Sequence, residues 1–152
     1  PVSSPTIVAA EWYRAWGLPA SRQAQAAIKG PIAAHLASGR VLPLIDDLVN
    51  SGMSVVGVGA LEDLREVKAA CRGRISILGN LNGIEMTHWT PAEAENAVKK
   101  AIAQAAPGGG FILSDGHGEI PWQVSDEVLH AIVAATRRWG TYPLQAGLAD
   151  GE

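Results

Sequence analysis

Four short apolar runs, separated by segments with helical periodicity, constrain the fold of this chain more than any other feature. The runs are rich in Ile, Val, Leu and Ala and cover residues 31–37, 54–60, 75–82 and 110–116. Continuous apolar runs, as opposed to alternating ones, are typical of parallel strands that are buried on both faces. The alternation of strands with helices therefore predicts an α/β fold with a parallel sheet and right-handed crossovers.

The segments between the runs carry start and stop signals of helices. Thr90-Pro91-Ala92-Glu93 is a capping box with proline at the first helical position, and Ser125 is placed to cap the last helix. Gly52 stands where a helix C-cap is expected. Residues 5–29 are predicted to be helical with a break near Gly17. The predicted order is α-β-α-β-α-β-α-β-α.

The length of 152 residues suits one domain. A closed eight-stranded barrel needs about 250 residues, so four β/α units amount to an open sheet or half a barrel. We predict a single domain over residues 1–144 and a flexible tail over residues 145–152. A half-barrel would expose two edge strands, and exposed edges favour pairing with another chain.

Composition excludes several classes of protein. The net charge is −3, with 12 basic and 15 acidic residues well mixed, so we expect no nucleic-acid partner. No apolar run approaches the roughly 20 residues of a membrane helix, and we expect no membrane partner. Cys71 is the single cysteine, which rules out an internal disulfide and a CxxC metal site. A cytoplasmic location is the expectation.

An ordered set of motifs along the chain resembles the C-terminal half of the uroporphyrinogen decarboxylase superfamily. That superfamily contains the decarboxylase of haem synthesis and the methylcobamide–thiol methyltransferases. The motifs are Ser38-Gly39, residues 42–49 (LPLIDDLV), Gly52, Asp63-Leu64, Val67-Lys68, residues 78–82 (LGNLN), Thr90-Pro91, residues 107–114 (PGGGFILS) and Gly116-His117-Gly118.

The resemblance implies that the chain supplies strands five to eight of a (β/α)8 TIM barrel. It further implies decarboxylation of a tetrapyrrole or another polycarboxylate without a cofactor, since the pyrrole-like ring itself takes up the electrons. In the decarboxylase the other half carries arginines and an aspartate that engage the substrate. We therefore expect activity only when oligomerisation, most simply as a homodimer, completes the barrel. The alternatives are a corrinoid-linked methyltransferase-like protein and a non-catalytic half-barrel fragment or binding module.

His117 and Asp115 are the candidate catalytic residues. Active sites of such barrels lie at the C-terminal ends of the strands, where the last run delivers both side chains. The Gly-His-Gly motif matches the pattern in which the histidine of the decarboxylase faces the substrate. A histidine there can bind a carboxylate or move a proton near neutral pH. Asp115 either orients His117 or caps the turn through local backbone amides.

His35 is a candidate substrate-binding residue at the end of the first run. In the zinc-dependent methyltransferases, by resemblance, a histidine near this position opens a His-x-Cys pair, and a second cysteine follows the last strand. This chain has Ala37 and His117 at those two positions, and Cys71 lies elsewhere. Zinc needs three or four ligands, so we expect no metal site. A variant zinc site of His35, His117 and a carboxylate is the alternative.

Four further residues complete the candidate substrate-binding set: Ser38, Arg40, Asn80 and Asn82. An asparagine amide both donates and accepts hydrogen bonds toward a polar ligand, although Asn80 could instead pin the following loop. Arg40 could bind a carboxylate through two hydrogen bonds or be a solvated residue of a first helical turn. The adjacent Asp46 and Asp47 fall within a helix and do not face one another, so we interpret them as surface residues.

Overall fold

The computed structural model describes residues 7–36, 39–116, 118–145 and 148. Within these residues, four parallel strands form one sheet in the order β1-β2-β3-β4, which is also their order along the chain. The strands are β1 (Ala33–His35), β2 (Val55–Gly57), β3 (Ser76–Leu81) and β4 (Phe111–Asp115). Each strand lies inside one of the predicted apolar runs and is shorter than the run.

Helices precede, separate and follow the strands, as the sequence predicts. They are α1 (Ala10–Trp12), α2 (Leu18–Ala26), α3 (Ile45–Ser51), α4 (Leu64–Cys71), α5 (Pro91–Ala105) and α6 (Asp126–Trp139). Two 3₁₀ helices, Leu42–Leu44 and Glu85–His88, lead into the loops and helices on either side. Neighbouring helices pack against one another in chain order from α2 to α6.

The predicted helix ends are confirmed where the sequence supplied a local signal. The hydroxyl of Thr90 accepts the backbone N–H of Glu93, whose carboxylate accepts the backbone N–H of Thr90. The hydroxyl of Ser125 accepts the N–H of Val128. Gly52 ends α3 with a φ of +92°, a left-handed conformation that glycine adopts without steric cost.

The predicted break near Gly17 is wrong. A π-helical stretch, Tyr13–Gly17, joins α1 to α2 without interruption, and Pro19 lies two residues after this stretch. Tyr13 and Leu18 are buried within this continuous helical segment. Arg14 anchors it on α3 by donating to Asp47 at 2.8 Å and to the carbonyl of Pro43 at 3.0 Å.

The core lies between one face of the sheet and the helices. Val56 and Ile77, neighbours across β2 and β3, are fully buried on that face. The helices contribute a row of buried side chains: Leu48, Leu64, Val67, Val98, Ile102 and Val128. At the amino ends of the strands, Lys68 donates to the carbonyl of Gly109 in the turn before β4. Cys71, only 1% exposed, ends α4 at the same side of the sheet.

The opposite face of the sheet is much less covered. Ile112 on β4 is 49% exposed, and His35 on β1 is also exposed. The outer edges of β1 and β4 have no neighbouring strand among the described residues. Within those residues, no helix is long and apolar enough to cross a membrane.

The domain boundaries stay a prediction. Six of the eight residues assigned to the tail, 146–147 and 149–152, lie outside the described residues. Leu148, in the same segment, is buried.

Candidate functional site

The carboxyl ends of the four strands bring the predicted polar residues to one edge of the sheet. In the strand register, His35 is level with Gly57 of β2, while Asn80 and Leu81 of β3 are level with Ser114 and Asp115 of β4. Ser38 and His117, both predicted site residues, lie outside the described residues. Arg40 is exposed beyond the end of β1.

His35 reaches across β2 toward the turn that follows β4. The Nδ1 edge of its imidazole points at Gly57, so close that a β-carbon there would be 3.0 Å from Cγ and 3.1 Å from Cε1. A β-carbon on Gly118 would lie 3.4 Å from Nε2 of the same ring. The ring therefore links the first strand of the sheet to the Gly116–Gly118 turn.

Asp115 caps that turn. Its Oδ2 accepts the backbone N–H of Gly118, and its Oδ1 accepts the hydroxyl of Ser114 at 3.3 Å. The first of these bonds joins the end of β4 to Gly118, and a bond to local backbone is one of the two roles predicted for this aspartate. Gly118 has a φ of +82°, a conformation that most other residues adopt only with strain.

Asn80 pins a neighbouring loop through both hydrogens of its amide. Nδ2 donates to the carbonyl of Gly59 at 3.0 Å and to the carbonyl of Glu62 at 2.9 Å. Both acceptors belong to the loop between β2 and α4. The two donor positions with which Asn80 would bind a ligand are therefore occupied by backbone.

Asn82 has a comparable role in the next loop. Its Oδ1 accepts the backbone N–H groups of Ile84, at 3.1 Å, and Glu85, at 3.3 Å. These bonds satisfy N–H groups at the start of the 3₁₀ helix after β3. Asn80 and Asn82 still line one small cavity of about 180 Å³, together with Glu62, Trp89 and Lys100.

Glu62 also lies at the carboxyl edge of the sheet, although the sequence did not single it out as a candidate. Its carboxylate accepts the backbone N–H of Val41 at 2.9 Å and that of Leu42 at 3.0 Å. The loop after β2 thereby holds the loop after β1. Because the partners are 20 and 21 residues apart, no local pattern signals this contact.

Close packing of backbone holds the same edge together at two glycines. A β-carbon on Gly79 would lie 2.7 Å from the carbonyl oxygen of Val58, and one on Gly116 would lie 2.6 Å from the backbone nitrogen of Ala60. Neither position admits a side chain without backbone movement. The sequence shows these glycines within its motifs, but their spacing alone does not reveal what they contact.

The described residues hold no group of three or more His, Cys, Asp or Glu side chains placed to bind a metal ion. Cys71 lies in α4, away from the carboxyl ends of the strands, so it is not a ligand for a metal at this edge. Among the described residues, His35 and Asp115 are ionisable residues whose side chains both lie beside Gly118.

An apolar groove of about 420 Å³ opens beside this edge, between β4 and α6. Its lining side chains are mostly aliphatic: Leu81, Met86, Leu113, Leu129, Ile132 and Val133. Asp115 and Ser114 stand at the same groove. Four exposed apolar side chains surround the carboxyl ends of the strands: Leu61, Ile84, Ile120 and Trp122.

A family model and a solved structure match this chain. Residues 2–139 match the family described as Uroporphyrinogen decarboxylase (URO-D). A solved structure, a methyltransferase from Methanosarcina mazei, superposes with a TM-score of 0.79 at 20% sequence identity. The match covers 93% of this chain and 41% of that one, so the chain spans less than half the length of this structural relative. No curated protein matches the chain by sequence.

The structural match confirms the predicted fold class. Four parallel strands alternate with helices in the order along the chain, as in half of a (β/α)8 barrel.

Proposed function

Because the chain belongs to the uroporphyrinogen decarboxylase family, we propose that it is a decarboxylase-type half-barrel that removes carboxyl groups from a tetrapyrrole or a related polycarboxylate. The observation that carries the proposal is the position of His35 and Asp115 on either side of the Gly116–Gly118 turn, at the carboxyl edge of the sheet. Active sites of (β/α)8 barrels lie at this edge.

The proposed chemistry needs proton transfer and charge stabilisation but no cofactor. The bond between the side-chain carbon and the carboxylate carbon breaks, CO₂ leaves, and the protonated pyrrole ring takes up the electron pair. A proton is then added to the carbon that lost the carboxylate, and the ring releases the proton that it had taken up, so that one proton replaces CO₂ overall. We assign the proton transfer to His117, which the Asp115-capped turn carries, and substrate-carboxylate contacts to His35, Ser38 and Arg40.

The site is incomplete in a single copy. The outer edges of β1 and β4 are open among the described residues, which supply four strands, whereas a closed barrel of this type has eight. Two copies supply the required number, with β4 of each beside β1 of the other. The proposed partner is therefore a second copy, and the active species is a homodimer.

Methyl transfer from a corrinoid is the second candidate, since the superposed protein is named a methyltransferase. Its 20% identity supports the fold and no particular reaction. Zinc-dependent thiol activation in particular lacks support, because Cys71 is buried in α4.

The deciding experiment measures decarboxylation of uroporphyrinogen, prepared by chemical reduction of uroporphyrin, at several concentrations of the chain. Products are oxidised and counted by chromatography according to their remaining carboxylates. We expect turnover that increases more than linearly with protein concentration, because the dimer is the active species. We expect His117→Ala to lower the rate about 10²–10⁴-fold, the usual contribution of a positioned acid or base.

His88→Ala is the matched control, since His88 is an exposed histidine outside α6 and outside the candidate site, and it should leave the rate unchanged. Absence of turnover in a demonstrated dimer would contradict the decarboxylase proposal. Methyl transfer from methylcobalamin to a thiol under the same conditions would then favour the second candidate.

A further inference from the structure

Gly57 occupies a regular strand position that offers no backbone reason for glycine. It pairs with His35 on one side and Leu78 on the other within the parallel sheet, and its φ is not positive. Glycine weakens a strand interior because it contributes no side-chain packing and loses more conformational freedom on folding. Such a glycine commonly marks a place where another group approaches the backbone closely.

The approaching group here is the His35 imidazole. A β-carbon at position 57 would lie well inside van der Waals contact with Nδ1 and within 3.0 Å of Cγ. Gly57 is buried although it lies on the less covered face of the sheet, because the ring covers it. The ring thus uses the space that a side chain of β2 would fill.

The same ring orientation carries Nε2 toward the turn after β4. A β-carbon on Gly118 would be 3.4 Å from Nε2, so the imidazole spans from β1, over β2, to the Asp115-capped turn. Any side chain at position 57 would push the ring outward, away from Gly118. The position of His35 relative to the turn therefore depends on the missing side chain of a different strand.

We propose that Gly57 is a positioning residue of the site: by lacking a side chain, it lets the Nδ1 edge of the His35 imidazole approach the backbone of β2 while Nε2 lies toward Gly118. The proposal deepens the proposed function, and its relevance to catalysis rests on that function. The position of the His35 ring can be tested by experiments that use no substrate.

The first test is nuclear magnetic resonance on ¹³C/¹⁵N-labelled protein. The chain has four histidines, and loss of one ring signal in His35→Ala assigns the resonance. We expect nuclear Overhauser contacts from the His35 ring to the Hα atoms of Gly57 and Gly118. In Gly57→Ala the contact to Gly118 should disappear and the ring resonance should shift. Val55→Ala, two residues earlier on the same strand, is the control and should leave both contacts intact.

The second test is a thermodynamic cycle that does not depend on assigning signals. Gly57→Ala should lower the Tm by several degrees in the native background, because methyl and ring compete for one space. In the His35→Ala background the same change should cost nothing or raise the Tm, because alanine suits a strand better than glycine. Removal of the His35 ring should thus rescue Gly57→Ala. No rescue is expected if Gly57 acts independently of His35.

Two results would overturn the proposal: an unchanged contact between the His35 ring and Gly118 in Gly57→Ala, or an equal loss of Tm in both backgrounds. Failure of the proposed function has a different signature. Absence of porphyrinogen turnover would remove the decarboxylase assignment and leave both of these measurements as they are, since neither uses substrate.

Discussion

At the scale of single residues, the carboxyl edge of the sheet depends on side chains that hydrogen-bond loop backbone as much as on those that face solvent. Asn80 is the clearest case, because its amide bridges two carbonyls of the loop after β2. The sequence placed Asn80 at this edge correctly. Its assignment to substrate binding stays a prediction, and the sequence did not reveal the two bonds to this loop, because the acceptors lie 18 and 21 residues away along the chain.

Replacing Asn80 should therefore lower stability. Asn80→Ala removes both donors and leaves the Gly59 and Glu62 carbonyls without these partners in a half-buried site, a loss of about 1–3 kcal/mol. Urea unfolding followed by circular dichroism measures the free energy of unfolding. Asn50→Ala, an exposed asparagine of α3, is the matched control. Equal stability of the Asn80 variant and the native chain would mean that the bridge contributes nothing.

At the scale of elements, the sequence predicted best what is determined locally. The capping box at Thr90, the Ser125 cap and the Gly52 end of α3 each depend on residues within a few positions, and each is confirmed. Strand positions were also predictable, since buried parallel strands need continuous apolar runs. The ends of the strands were not predictable. β1 and β2 each stop after three residues, because pairing with the neighbouring strands decides where they end.

The capping box at the start of α5 gives a testable pH dependence. Hydrogen bonds from the backbone N–H and the hydroxyl of Thr90 hold the pKa of Glu93 below its usual value. A carboxyl group whose pKa is lowered by folding adds stability above its unfolded pKa. That contribution is lost as the pH falls through the lower, folded pKa.

The stability difference between the native chain and Glu93→Gln should thus be largest near neutral pH. It should shrink as the pH falls below the usual glutamate range, about 4.3. Urea unfolding at a series of pH values between 7 and 3 measures it. Thr90→Val, which removes the hydroxyl donor, should reduce the pH-dependent part. A difference that stays constant over this range would show that the carboxylate does not titrate in the cap.

At the scale of the whole molecule, the fold presents two unlike edges. The β4 edge carries the apolar groove along α6, whereas the helical segment from α1 to α2 precedes β1 and bears the exposed Trp12 and Trp16. In a two-copy barrel, α6 of one copy and the segment from α1 to α2 of the other would meet at the same interface between the copies. Each of the two interfaces must therefore accommodate both helical segments, and the packing between them decides whether the dimer forms.

Light scattering over a concentration series should show a dimer for the native chain. Val133→Glu should shift it to monomer, since Val133 lines the groove and is 47% exposed, so that a charge there opposes association more than folding. Leu61→Glu is the matched control: Leu61 is 87% exposed in the loop after β2, an inner strand, and does not line the groove. A monomer at every concentration for the native chain would exclude the two-copy barrel.

The burial of Cys71 has a consequence for following this molecule in solution. Cys71 carries the single thiol in the chain and is 1% exposed. Burial raises the pKa of this thiol, so little reactive thiolate is present at neutral pH. A thiol reagent can reach it only after α4 has separated from the layer beneath it. The rate of its modification therefore reports how often that layer opens, and the chain carries its own probe of local unfolding without any added label.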